Sequence, residues 1–192
     1  MSRMPRDLNA RFTYKDYRTW SDNERWELID GVPYNMTPAP STKHQEILGE
    51  LYQLFAAYLK GKPCKAYLSP FDVRLPSANE QDEDISSVVQ PDLTVVCDPS
   101  KIDEHGCKGT PDLIIEILSP ATMKKDLGDK LRLYERAGVP EYWVVHPYDQ
   151  TALIFNLNQG IYGTPTFYKV PDEVRVIVFP DLVIPLPEVF AI

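Results

Sequence analysis

Asp92, Glu116 and Lys130 lie far apart in the chain, but they are the residue types that can hold a divalent cation beside a phosphate and handle the proton of an attacking water. Asp92 sits in Gln-Pro-Asp-Leu-Thr-Val-Val-Cys and Glu116 in Asp-Leu-Ile-Ile-Glu-Ile-Leu. Both runs are short and rich in β-branched and aliphatic residues, the pattern of buried strands. Because side chains alternate along a strand, Asp112, Ile114, Glu116 and Leu118 share one face, and Leu113, Ile115 and Ile117 share the other. Asp92 begins its strand, where a neighbouring strand can set Glu116 beside it at about 5 Å. Two carboxylates that close repel unless a cation lies between them. Mg2+, or Mn2+ in its place, takes oxygen ligands and keeps several waters, so Asp92 and Glu116 with a backbone carbonyl suffice as its ligands. Asp112 is about 13 Å from Glu116 by strand rise, too far to share that ion, and is an accessory candidate only.

Lys130 falls in the segment from Thr122 to Ala137, which has helix-forming composition and stops at Gly138, Val139 and Pro140. At about 100° per residue, Leu127, Leu131 and Tyr134 form the apolar stripe, and Lys130 lies inside it. Lys125, Asp129 and Arg132 fall on the solvent face. An inward lysine needs a partner, and a helix that follows the Glu116 strand packs back onto the sheet, so Lys130 can reach the carboxylates. The three residues then form a catalytic trio for metal-dependent phosphodiester cleavage. Each also has a purely structural reading. Asp92 after Pro91 can cap a turn, Lys130 can snorkel along the stripe, and Glu116 with Lys130 can be a buried ion pair without catalysis. A pair of acids for glycoside chemistry needs no inward lysine, which counts against that class.

The elements around the trio follow from periodicity. A short helix is expected in 13–23, a hairpin from Trp26 to Met36 turning at Asp30-Gly31, and a long amphipathic helix after Ser41 that ends before Gly61. Ala66 to Leu75 reads as a strand, and Pro76 to Ser87 as an acidic loop, the least ordered place in the chain. Then come the Asp92 strand, a polar connection from Asp98 to Thr110, the Glu116 strand, the Lys130 helix and a strand at Glu141 to His146. Thr151 to Asn156, Thr166 to Val170 and Val174 to Phe179 are further strands.

Composition limits the reading. The 192 residues suit one domain spanning the chain, and a net charge of −8 disfavours a protein that coats nucleic acid by bulk electrostatics. Three cysteines without CxxC spacing indicate neither a structural zinc site nor a disulfide framework, and fit a reducing cytoplasm. No apolar h-region lies in Met1 to Arg11, and prolines cut the apolar C-terminal stretch, so neither a signal peptide nor a membrane partner is expected. No zinc finger, helix-turn-helix or basic groove-reading helix is present. Lys124, Lys125, Arg132 and Arg136 are candidate phosphate contacts or simply a solvated helix face.

Pro91-Asp92 and Glu116-Ile-Leu118, in helix-strand-strand-strand-helix-strand order, resemble the PD-(D/E)xK nuclease superfamily. The string from Pro111 to Thr122, then Asp126-Leu-Gly-Asp-Lys130, Tyr134 and Ala137 to Val145, resembles the Uma-two-type family of restriction-endonuclease-like proteins. Glu27-Leu-Ile-Asp-Gly31, Met36, Pro38 and His44 extend the resemblance over nearly the whole chain. It implies an α/β fold: a restriction-endonuclease-like mixed β-sheet with that core order and additional C-terminal strands. It also implies a Mg2+-dependent DNA endonuclease, with Glu27 and His44 as accessory residues of the pocket. The superfamily lysine two residues after the glutamate is Leu118 here, and Lys130 takes its place. Cutting both strands of a duplex needs two sites, hence a homodimer. The alternative is a catalytically silent nuclease-fold protein acting as an interaction or nucleic-acid-binding module.

Overall fold

The computed structural model describes residues 10–20, 24–36, 39–77 and 80–191. Expectations for Met1 to Asn9, for 21–23, for Pro38 and for the tip of the acidic loop at 78–79 lie outside them. The elements run α1 (Tyr14–Tyr17), β1 (Trp26–Ile29), β2 (Val32–Asn35), α2 (Thr42–Leu59), β3 (Lys65–Leu68), β4 (Val73–Arg74), β5 (Val88–Val89) and β6 (Leu93–Val96). Then follow β7 (Ile102–Asp103), β8 (Gly106–Lys108), β9 (Leu113–Ile117), α3 (Met123–Lys125), a π-helical turn at Asp126–Lys130, and α4 (Leu131–Ala137). The chain continues through β10 (Glu141–His146), β11 (Thr151–Asn158), β12 (Ile161–Tyr162), β13 (Thr166–Lys169), β14 (Glu173–Arg175), β15 (Val183–Pro185) and α5 (Leu186–Val189).

The central sheet has the order β12-β11-β10-β9-β6-β3, with β13 also on β11. Its β9–β10 pair is parallel and β6–β9 antiparallel, so the fold is a mixed α/β one whose core reads α2, β3, β6, β9, helix, β10. Ser41 caps α2 by accepting a hydrogen bond from the His44 backbone N–H at 3.2 Å. Ile47, Leu51 and Phe55 of α2 then cover one face of the sheet, against Leu113, Ile115, Ile117 and Trp143. The period-two rule assigns these positions correctly. Ile114 and Leu118 lie on the other face with Leu133 and Tyr134 of α4 and with Val73, Val89 and Ile29 of a second sheet, ordered β2-β1-β5-β4-β8-β7. Helix α4 ends at Gly138, whose φ of 81° is the left-handed cap that the sequence stop signal called for.

Several expectations need correction. The strand drawn through Ala66 to Leu75 is two strands in different sheets, β3 and β4, because Pro70 interrupts the run. The polar connection holds the β7–β8 hairpin, which pairs in parallel with β4. The acidic loop is anchored in its described part, where Ile85 is fully buried and Asp82 pairs with the buried Arg74 at 3.0 Å. Of Val174 to Phe179, only the start is a strand; it pairs with β15, and Val176 and Phe179 pack into the core outside any strand. A disulfide joins Cys64 to Cys97, contrary to the expectation from cysteine spacing. The β3–β6 register pairs Lys65 with Val96, so Cys64 and Cys97 stand opposite one another, a juxtaposition that counting cysteines along the chain does not see. The inference from spacing to a reducing compartment loses its ground with it. Among the described residues, no helix is long and apolar enough to cross a membrane.

Candidate active site

Strands β6 and β9 pair Leu93 with Ile115 and Thr94 with Ile114. Carried one step further, the same register sets Asp92 opposite Glu116. Two contacts fix the Asp92 carboxylate: Oδ2 accepts from the Ile117 backbone N–H at 2.7 Å and lies 3.1 Å from His44 Nε2 in the first turn of α2. Burial pulls the His44 ring down, but the hydrogen bond and negative charge of Asp92 prevail and raise its pKa.

Glu116 is 4 % exposed, and its Oε1 accepts from Lys130 Nζ at 2.7 Å and from the Tyr134 hydroxyl at 2.9 Å. Lys130 is itself 2 % exposed, and its Nζ lies 2.7 Å from Glu27 Oε1 and 3.7 Å from Asp126 Oδ1. Burial works against its charge, yet Glu116, Glu27 and Asp126 together hold its pKa well above the ordinary value. The three carboxylates fare differently. Burial would raise Glu27, but Lys130 and Lys125, the latter 2.5 Å away, hold it below the ordinary range. Burial raises Glu116; Lys130 opposes the rise, while Asp126, Asp92 and Glu27 add to it. Asp126 is also raised by burial, with Lys130 opposing.

These groups border a cleft of about 750 Å3 whose lining includes His44, Asp92, Glu116, Lys130, Lys125 and Arg25. The structure therefore brings Asp92, Glu116, Lys130 and His44 to one place, with Glu27 directly behind Lys130. Asp112 is elsewhere: its Oδ2 accepts from the Cys97 backbone N–H at 2.7 Å, a turn-holding role away from the cleft. Leu127, assigned to the apolar stripe, is 37 % exposed, while Lys125, assigned to solvent, lines the cleft. The inward arc is in fact Asp126, Lys130, Leu133 and Tyr134. It carries two charges, so a face chosen by its apolar members is rotated away from it, and the π turn widens the offset. Arg132 and Arg136 pair with Asp129 and Asp30, whereas Lys124 does line the cleft. Lys125, like Lys124, lines the cleft as a candidate phosphate contact should, whereas Asp126 and Gln90, whose backbone N–H donates to Glu27 Oε1 at 3.0 Å, are not singled out by periodicity. Only Asp126, at i−4 from Lys130, left a readable trace.

The donor set suits a small, oxygen-seeking cation in one limited way. Among the described residues, no group of three or more His, Cys, Asp or Glu side chains could hold a metal ion. Hydrogen bonds among the described residues engage Oδ2 of Asp92 and Oε1 of Glu116, which leaves the second oxygen of each as the one available as a ligand. Two carboxylate oxygens complemented by water match Mg2+ or Mn2+, not a closed protein cage.

A family model described as "Uma2: Putative restriction endonuclease" matches residues 14–187. The chain belongs to the Uma2 family. A protein of Synechocystis sp., "Uncharacterized protein slr1290", is 32% identical over 122 residues, covering 62% of this chain and 60% of that protein. The match thus spans less than two thirds of that protein's length. A crystal structure from Anabaena variabilis, described as a putative nuclease belonging to DUF820, superposes with a TM-score of 0.74 at 20% identity. It covers 94% of this chain and 98% of that one, so the restriction-endonuclease-like fold extends over nearly the whole Uma2 chain.

Proposed function

We propose that this Uma2 protein is a Mg2+-dependent DNA endonuclease that hydrolyses phosphodiester bonds as a homodimer, with Mn2+ able to replace Mg2+. One observation carries this reading: two carboxylates from adjacent strands, Asp92 and Glu116, stand register-opposed at a cleft that also holds the buried Lys130. Family membership and the nuclease-described fold neighbour support it. Asp92 Oδ1 and Glu116 Oε2 would hold the ion, which when bound supplies acidity to a water and charge for the phosphate.

The rest is done by side chains of the chain itself. His44 and the Ile117 N–H orient Asp92; Tyr134 and Lys130 orient Glu116. Lys130 also keeps positive charge beside Glu116, favouring its ionised form. Lys124, Lys125 and Arg25, all lining the cleft, offset the charge of an entering phosphodiester in a protein whose net charge is −8. The site is a single cleft, so cutting both strands of a duplex calls for a second copy.

The test is nicking and linearisation of plasmid and branched DNA with Mg2+ or Mn2+, comparing wild type with Glu116→Gln and Lys130→Met. Each substitution should lower the rate by about a hundredfold or more. No activity above the double variant with either metal refutes the catalytic reading and leaves Glu116 and Lys130 as a structural ion pair in a binding module.

A further inference from the structure

A second cleft, of about 550 Å3, opens beside the first and shares Arg25 and Gln90 with it. The phosphodiester site uses none of its remaining chemistry. Its wall is aromatic: Tyr17 and Trp26 are half-buried, and the buried Trp20 meets their rings at 5.4 and 5.8 Å. The Tyr17 hydroxyl is pinned, 3.0 Å from Asp72 Oδ1 and accepting from Gln90 Nε2 at 3.1 Å, which fixes the position of that ring. Two acceptors accompany it. Glu24 Oε2 is shut off from solvent without a hydrogen-bond partner among the described residues, and Asp72 engages its neighbours through Oδ1, leaving Oδ2. A carboxylate oxygen shielded from water and unbonded is costly until a donor arrives. Exposed Arg18 lines the same cleft and provides positive charge.

Position adds to composition. Trp26 and Glu27 are neighbours on β1 and point to opposite faces, Trp26 to the second cleft and Glu27 to the lysines that line the first. Arg25, at the boundary, borders both. Aromatic rings lining a cleft next to a phosphodiester site suit the face of a base, because every base has a π face to stack. The shielded Glu24 Oε2, with Asp72 Oδ2 beside it, selects an edge that donates, meaning an exocyclic amino group.

We propose that the second cleft binds one unpaired nucleobase of the strand whose phosphodiester lies in the first cleft, stacking it on Tyr17 and Trp26 and reading an amino-bearing edge with Glu24 and Asp72. The position of the phosphodiester rests on the nuclease reading above; the base site itself does not. Adenine, cytosine and guanine carry the required amino group, and thymine lacks it. A duplex binds only by unstacking a base, so single strands, mismatches and branch points are preferred.

Tryptophan fluorescence reads this directly, since two of the three tryptophans, Trp20 and Trp26, line the cleft and Trp143 is buried in the main core. With divalent metal chelated to prevent cleavage, the full chain is titrated with short single-stranded oligodeoxycytidylate, oligothymidylate, a fully abasic strand of equal length and a matched duplex. Oligodeoxycytidylate should quench the emission and bind about tenfold more tightly than the abasic strand. Oligothymidylate should fall between them. Glu24→Gln, which removes no hydrogen bond among the described residues, should narrow the cytidylate-to-thymidylate difference, and Trp26→Phe should weaken all stacking while leaving that order unchanged. Equal affinity for cytidylate and abasic strands, or no quenching by any strand, overturns the proposal. Quenching without cleavage under any metal refutes the nuclease reading and leaves the base site standing. Cleavage with equal binding of cytidylate and abasic strands does the reverse.

Discussion

Lys130→Met isolates the charge arrangement, because methionine fills much of the same volume without the ammonium. In the native protein Lys130 Nζ is 2.7 Å from Glu27 and Glu116, and both carboxylates are almost inaccessible to water. After the substitution Glu27 keeps Lys125 and the Gln90 N–H, while among the described residues Glu116 keeps only the Tyr134 hydroxyl. Removing one partner of a buried pair costs about 3–5 kcal/mol near neutral pH. The pH dependence distinguishes this from lost packing. Glu27 has a lowered pKa in the native state, so its stabilisation is present above the unfolded value, near pH 4.3, and is lost as pH falls through the folded pKa. Glu116 is raised by burial already, and without Lys130 it rises further. Its neutral form is therefore the cheaper one in the variant, whose stability is greatest below the unfolded pKa and declines as pH climbs through the folded one. Both effects make the deficit of the variant shrink on acidification, by up to about 1.4 kcal/mol per pH unit for each group while it titrates. Urea unfolding of both proteins from about pH 10 down to about pH 3 spans both windows, since Glu116, pushed up to about 8 in the native protein, titrates differently in the two proteins only above that pH and Glu27 only near and below its unfolded value. Adding Glu116→Gln to the variant should recover part of the loss, because among the described residues Glu116, unlike Glu27, is left without a cation. A deficit below about 1 kcal/mol, or one that stays constant with pH, refutes the idea that these buried carboxylates depend on Lys130.

Three further substitutions test other parts of the fold. Gly106→Ala should destabilise by at least about 2 kcal/mol, because φ is +121° and a Cβ there would lie 2.2 Å from the Asp72 carbonyl oxygen; thermal unfolding gives the value. Glu141→Gln should lose about 1–3 kcal/mol in urea: Glu141 accepts from Trp143 Nε1 at 2.8 Å and from the Val178 N–H at 2.9 Å, so an amide turns one of its donors toward another donor. Ser41→Ala removes the cap of α2 and should cost about 1 kcal/mol, measured as a shift of the urea midpoint at unchanged slope.

What could be read from sequence was what repeats along a single element. The alternation in β9 placed Ile115 in one core and Ile114 in the other, and the same alternation put Glu116 on the face that meets α4. The spacing from Ile47 to Leu59 marked α2, because a long amphipathic stripe has few competing interpretations. Contacts between elements from different sheets left no such trace. Glu27 meets Lys125 from a position 98 residues away, in a hairpin of the second sheet, and no periodicity sets the approach of one sheet to another. The helical stripe was misread at Leu127 for a different reason: hydrophobicity marks the buried face only where the buried face is hydrophobic, and here Asp126 and Lys130 occupy it.

That same exception bears on what the cluster is for. A buried ion pair that served stability alone would match each carboxylate with a cation, and even then a well-packed apolar substitute would often serve as well or better. Around Lys130 the fold gathers Glu27, Asp92, Glu116 and Asp126 against two lysines, with His44 attached to Asp92. The negative charge is in excess. Asp126 Oδ1 lacks a hydrogen-bond partner among the described residues, and the Glu116 carboxyl is raised despite a lysine at 2.7 Å. The apolar layers on both faces of the central sheet can carry that penalty, but nothing in packing requires it. An excess of carboxylate oxygen at a cleft is lowered in energy by an arriving cation. Divalent metal should therefore raise the unfolding temperature of the wild type and do so less for Glu116→Gln, a difference that a self-sufficient ion pair would not produce.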